Sequence, residues 1–392
     1  MTHSRNLQSK VLRATTFINS PLTGRQIDVE YTVEDHEGVP TAFLKITLPT
    51  AAASVGHNYA HAGLASVRSE VEVSAALVRV TLAVLGFTPD EIKRFMKGAR
   101  CQHLELTWHT PTASRRARLS LQNRTKQHFD ALFSIKGRHD IQISDVDYKE
   151  GNGSPGLLVT LKSGDRLRQY GKADQIRSRK RRDRSDAWMS TDTRQYRQSI
   201  LDVIEHQTRN EVIACAETLR DLGLEHPRSW DEDSLKLLID HVWKAAGLKP
   251  QQPDSNRELS PEVEETWRKY LAGDDLRESL SDHTFGRHRA IIKELKGEDQ
   301  DIAIPRKSRA VRPASLGRQL CYERHWEPSG QLRQALLCEE TAPAILEELE
   351  RGLAFIQDGI VPTFEDSAER AKWVYRWQEF VARERGRIHE AR

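Results

Sequence analysis

The sequence predicts an α+β fold, an antiparallel-sheet domain followed by a mainly helical one. Three observations predict it. Short stretches of alternating polarity, bounded by turns rich in Gly, Pro and Ser, recur between residues 27 and 170. Beyond Gly223 apolar residues return at helical spacing almost throughout. The 392 residues exceed the usual length of one domain, and a Pro/Gln/Asp-rich stretch at 249–256 is the natural linker. The expected division is therefore a sheet domain over 20–248 and a helical domain over 257–392.

In chain order, 27–33 and 42–48 read as two strands joined through a turn-forming segment, a hairpin. Residues 64–85 carry a helix that stops at Gly86. The segment 102–108 alternates, so that His103, Glu105 and Thr107 share one face and Leu104, Leu106 and Trp108 the other. A helix is expected over 115–134, then strands at 139–146 and 157–162, and a Ser-Gly turn leads into a strand ending at Tyr170. Met1–Phe17 shows no clear strand. Ile200–Glu205 reads as a further strand, followed by a helix up to Leu222. Helices are expected near 231–246, 261–281, 284–296, 315–322, 341–356 and 366–392.

Composition narrows the function classes. Apolar residues make up 38% and charged residues 30%, and mean hydropathy is -0.65, the polar end of folded proteins. Cys101, Cys215, Cys321 and Cys338 are scattered, which argues against a zinc knuckle or a disulfide framework. The N-terminus has no apolar stretch of signal-peptide type, and nowhere do about 18 apolar residues follow one another, so a cytoplasmic protein without membrane contact is expected. Net charge is only +3, but its distribution is uneven. Six of the eight residues Arg177–Arg184 are basic (Arg177, Arg179, Lys180, Arg181, Arg182, Arg184), a run that would neutralise several phosphates of a nucleic acid.

Beside that run stands the chemistry. A tyrosine oxygen can attack a phosphodiester, and Lys172, two residues after Tyr170, can steady the charge on the displaced phosphate. Arg166 and Arg168 on the same strand add phosphate contacts, and Tyr196 and Tyr148 are the reserve nucleophiles. His103 and Glu105 point the same way and can share a divalent ion, for which Glu205 and His57 are further candidate ligands. Arg287 and Arg289 lie on a basic helix suited to lie against a duplex. Each element also has a plain reading, as a half-buried polar strand, a solvated loop or an amphipathic bundle helix.

Taken in order, these segments resemble the replication initiation proteins of filamentous bacteriophages, the gene II family of rolling-circle endonucleases. Leu48–Asn58 is similar to a family segment ending in Gln-Gly-His-Asn. The strand from His103 to His109 stands where the family has Arg-Ile-Asp, with Glu105 in the acidic place. Tyr170-Gly-Lys172 matches its Tyr-x-Lys strand. Val203-Ile-Glu205 stands where it has Arg-x-Glu, with the arginine replaced. Leu219–Leu224 and Thr284–Ile292 match later helices. The resemblance spans about 27–320 and is similar in logic to the HUH endonucleases, which place a metal on an antiparallel sheet opposite a tyrosine.

It implies a nickase that cuts one strand of origin DNA through a 5′-phosphotyrosine on Tyr170, leaves a 3′-hydroxyl and later reseals the displaced strand. It implies Mg²⁺ or Mn²⁺ at Glu105 with Glu205 and His103, and host helicase and polymerase as partners in a bacterial cell. The alternative is a DNA-binding regulator of phage or plasmid replication without catalysis. A tyrosine recombinase is disfavoured, because the required Arg, His-x-x-Arg and terminal Tyr do not occur in order.

Overall fold

A computed structural model describes residues 12–36, 39–133, 141–146, 156–178, 196–248, 259–272, 276, 280–296, 302 and 313–390. It is a mixed helix-and-sheet protein with two antiparallel sheets. Among the described residues no helix is long and apolar enough to cross a membrane.

The first sheet is the meander β1 (Leu12–Asn19), β2 (Gln26–His36) and β3 (Val39–Thr47). The expected hairpin of β2 and β3 is present, with Tyr31 opposite Leu44. β1 supplies an edge strand where the sequence shows none. Its register against β2 puts Ile18 beside Ile27, and both are buried. Helix α1 (Thr50–Val55) ends at Gly56 in the left-handed region, and α2 (Val67–Val84) packs Val73, Leu77, Val80 and Val84 against the sheet at helical spacing. Helix α3 (Pro89–Gly98) starts at a Thr88–Glu91 capping box.

The second sheet carries the site. Its elements are β4 (His103–Pro111), helix α4 (Arg115–Phe133), β5 (Ile141–Val146), β6 (Gly156–Leu161) and β7 (Arg166–Tyr170). Helices α5 (Lys172–Ser178) and α6 (Arg197–Glu205) precede β8 (Gln207–Cys215). The strand order is β4-β8-β7-β6-β5, so the last strand in sequence inserts between β4 and β7. Helices α7 (Ala216–Asp221) and α8 (Glu232–Ala245) follow. One face of the sheet buries Leu106, Trp108, Leu157, Leu167 and Val212 against α4 and α8.

Ile200–Glu205 is thus helical, not a strand. Ile200 and Ile204, one turn apart, are both fully buried against Tyr59, Ala173 and Leu336, and this helical spacing outweighs the β-branched composition. The strand lies at 207–215 instead. Gln207–Glu211 are polar, yet all are buried, because this strand sits on a charged interior.

The C-terminal half does not form one separate domain. α9 (Pro261–Ala272) and α10 (Asp282–Lys296) enclose a small core of their own, with Trp267 stacked on Tyr270. α11 (Pro313–Leu320) packs on the second sheet through Leu316 and Leu320. After the short α12 (Gly330–Arg333), helices α13 (Ala342–Asp358) and α14 (Ser367–Glu390) return to the first sheet and share a core with Ile18 and Leu77. Gly352 permits this approach, since a Cβ there would stand 2.0 Å from the Trp377 ring. Glu384, fully buried on α14, accepts from both the backbone and side chain of Asn19. The expected boundary between 248 and 257 therefore separates segments that fold into shared cores.

Candidate active site

Strands β4, β8 and β7 present one polar face. Cross-strand pairing sets Thr107, Glu211 and Arg168 in one row and His109, Arg209 and Tyr170 in the next. Glu105 and Arg166 flank Ile213 in the row before. Alternation along a strand requires this: because Leu106, Trp108, Leu167 and Val212 fill the core, their neighbours face the other way.

The Tyr170 hydroxyl donates to Glu211 Oε1 at 2.6 Å, and Arg209 Nε donates to the same oxygen at 2.5 Å. Arg209 also reaches Asn58 O at 2.5 Å, Thr107 Oγ1 at 3.4 Å and Glu105 Oε1 at 3.6 Å. Arg168 Nη1 lies 3.4 Å from Glu211 Oε2, with its guanidinium 5.1 Å from the Tyr170 ring centroid. Lys172 Nζ, at 5.9 Å, and Arg209, at 5.7 Å, complete three cations around that ring. Burial alone would raise the Glu211 carboxyl, but Arg209, the tyrosine hydroxyl, Arg168 and Lys172 hold it below the usual carboxylate range. Glu105 shifts upward, through burial first and then through the like charge of Glu211, against the pull of the cations. Arg209 stays charged: burial opposes it, and Tyr170, Glu211 and Glu105 outweigh burial.

Tyr170 is 2% exposed, so its oxygen is enclosed, in a charged pocket and not in apolar core. The segment after α1, α5, α6 and residues 332–338 close over the polar face. Glu105, with 45% of its side-chain surface accessible, marks the open edge, although protein crowds its other sides.

The tyrosine is held by its neighbour. A Cβ on Gly171 would stand 1.7 Å from Arg118 Nη1, so only glycine fits. Arg118 is fully buried and donates to Asp174 Oδ2 at 2.7 Å and to the Glu205 carbonyl at 3.1 Å. Arg115 reaches Asp174 at 3.4 Å and the Glu205 carboxylate at 3.6 Å.

Of the predicted site residues, Tyr170, Lys172, Glu105, Arg166 and Arg168 come together on β7, its following helix and β4. Two expected ligands do not join them. Glu205 ends α6, its carboxylate pairs with Arg115, and six residue steps along β8, from Gln207 to the Glu105 partner Ile213, separate them, roughly 20 Å. His57 has no free lone pair: Nδ1 accepts from the Tyr59 amide at 3.2 Å, and Nε2 faces the Ala335 carbonyl at 2.8 Å. Burial, with Lys172 nearby, lowers His57 to about 4. His103 starts β4 on the same face as Glu105, exposed, its pKa lowered by burial and by Arg166 and Lys45.

Arg177 lies in the last turn of α5, whereas Arg179, Lys180, Arg181, Arg182 and Arg184 fall outside the described residues, as does Tyr148. Tyr196 donates to Gln334 Oε1 at 2.7 Å. Arg287 and Arg289 are exposed on α10, and Arg287 pairs with Glu262 at 3.5 Å.

Sequence reasoning missed Glu211 and Arg209. Their signal was present as Arg209-Asn-Glu211, six residues beyond Val203-Ile-Glu205, and it was obscured by assigning the strand too early. His61, His109 and His325 were missed as well. The His61 and His109 rings stack near Arg209 with centroids 6.3 Å apart, and the His325 ring lies tilted against His109 at 6.2 Å. Among the described residues no three His, Cys, Asp or Glu side chains converge as a ready metal cage. No protein-family model, curated protein or solved structure matches the chain.

Proposed function

We propose that the chain is a DNA-nicking enzyme that becomes esterified to the cut strand through Tyr170, a replication initiator of the filamentous-phage gene II type. The observation that carries this reading is the 2.6 Å bond from the Tyr170 hydroxyl to a carboxylate held charged by its neighbours. Glu211 takes the phenolic proton as the oxygen attacks phosphorus. The Tyr–O–P bond forms, the P–O3′ bond breaks, and the leaving oxygen takes a proton to become the 3′-hydroxyl. Arg168, Lys172 and Arg209 lie where negative charge builds on the phosphate oxygens.

The accessible Glu105 carboxylate suits a hard divalent ion, which commonly keeps its waters and takes one or two carboxylates plus substrate phosphate. When bound, such an ion supplies polarisation of the phosphate. Arg209-Asn-Glu211 supplies the Arg-x-Glu pattern of that family beside the Tyr-x-Lys strand, which supports the family reading. Resealing of the displaced strand, and partnership with host helicase and polymerase, belong to the same proposal.

The test is plasmid nicking. Supercoiled DNA carrying the cognate origin, incubated with the protein and Mg²⁺ or Mn²⁺, should yield open circles and a protein–DNA adduct whose modified peptide contains Tyr170. Tyr170→Phe should abolish both while retaining DNA binding, and unchanged nicking by that variant sinks the reading.

The burial of Tyr170 favours a second reading, in which the charged cluster only fixes the interior of a non-catalytic DNA-binding regulator. A protein that shifts origin DNA in EDTA and never cuts it with metal would be that regulator.

A further inference from the structure

The accessible side of the cluster opens into a cavity of about 50 Å³ whose lining includes His61, Glu70, Glu105 and Thr107. A single water needs only about 10–15 Å³ of such space, so several waters fit. Glu105 and Thr107 point into it from adjacent positions on one face of β4, and His61 enters from the loop between α1 and α2. The Nε2 of His61 is buried without a hydrogen-bond partner, which calls for a water or an ion at that point. Glu70 reaches the cavity from α2, and one of its oxygens is already engaged, accepting the Ser66 hydroxyl at 3.0 Å.

We propose that this cavity is a divalent-cation site with two protein ligands, His61 Nε2 and the Glu105 carboxylate, and that water and substrate phosphate fill its remaining positions. A mixed imidazole and carboxylate set takes an ion of the Mn²⁺ class ahead of Mg²⁺, which is held by oxygen alone. Arg209, bonded to Glu105 and Glu211, ties the site to Tyr170. The role of the ion in cutting rests on the nicking reading, but its binding does not.

Mn²⁺ binding to the metal-free full chain, followed by electron paramagnetic resonance without DNA, tests the site. The wild type should take one ion. His61→Gln and Glu105→Gln should each weaken binding by about tenfold or more, Glu70→Gln should stay within about twofold, and Mg²⁺ should compete only at about tenfold higher concentration. Circular dichroism checks folding, and Glu105→Gln, at an accessible position, keeps the test decisive if His61→Gln unfolds. Wild-type affinity in either the His61 or the Glu105 variant overturns the site, as does an absence of Mn²⁺ binding or equal preference for Mg²⁺. Cutting by Tyr170→Phe would overturn the nicking reading instead and leave the ion site standing.

Discussion

Glu211 does two things that compete. It is the acceptor for the Tyr170 hydroxyl and, at 1% exposure, the buried counter-charge to Arg209 and Arg168. Glu211→Gln keeps the shape and removes the charge, which separates the two roles. Nicking should fall by about 10²-fold or more with the base gone. Thermal unfolding should show a loss of about 3 kcal/mol, the lower end for breaking a buried pair, because Arg209 keeps Glu105. A variant that cuts at the wild-type rate would mean that the proton goes elsewhere. Tyr170 and Glu105 were legible in the sequence because each sits in an alternating stretch whose apolar half declares which side faces the core. Glu211 was not, since Gln207–Glu211 offers no apolar alternation and falls in the helix expected up to Leu222, where the structure has β8.

Among the elements, the junction of β7 and α5 decides where the tyrosine points. Lys172 opens α5 immediately after Gly171, and the close approach of Arg118 occupies the space any Cβ would need. Gly171→Ala should therefore displace Arg118 from Asp174 and the Glu205 carbonyl, costing about 2–3 kcal/mol through overpacking and a strained buried ion pair. Urea unfolding of the variant checks this, and an unchanged midpoint would show that the guanidinium has somewhere to go. In the sequence Gly171 is only the middle residue of the Tyr-x-Lys match. Its partner lies 53 positions earlier on α4, and no local pattern points there. The same limit explains the misassigned Ile200–Glu205. Propensity favoured a strand, while contacts with Tyr59, Ala173 and Leu336, distant in sequence, fixed a helix.

Across the whole molecule, the chain beyond the linker-like composition at 249–256 returns to both sheets, with Leu316 and Leu320 in the core of the second and Trp373 and Trp377 in the core of the first. Four histidines, His57, His61, His109 and His325, lie close to the polar face of the second sheet. Burial is the leading cause holding all four rings neutral. His57 and His325 fall to about 4, and His61 and His109 go well below the ordinary value of 6.5. An unfolded imidazole takes its proton near 6.5, so below that pH the unfolded chain binds protons that the folded chain refuses. The stability these groups contribute is whole above about pH 6.5 and is lost as the pH falls toward 4. Glu70, raised to about 7, and Glu105, also raised, act in the opposite direction, since folding favours their protonated form until the unfolded carboxylates protonate near 4.5. Four imidazoles against two carboxyls leave a net uptake of protons on unfolding across this window, so stability falls as the pH falls through it. Urea midpoints should therefore drop steeply between pH 7 and pH 5.5. A flat profile would mean that the rings take up protons in place, and with them positive charge directly beside Arg209.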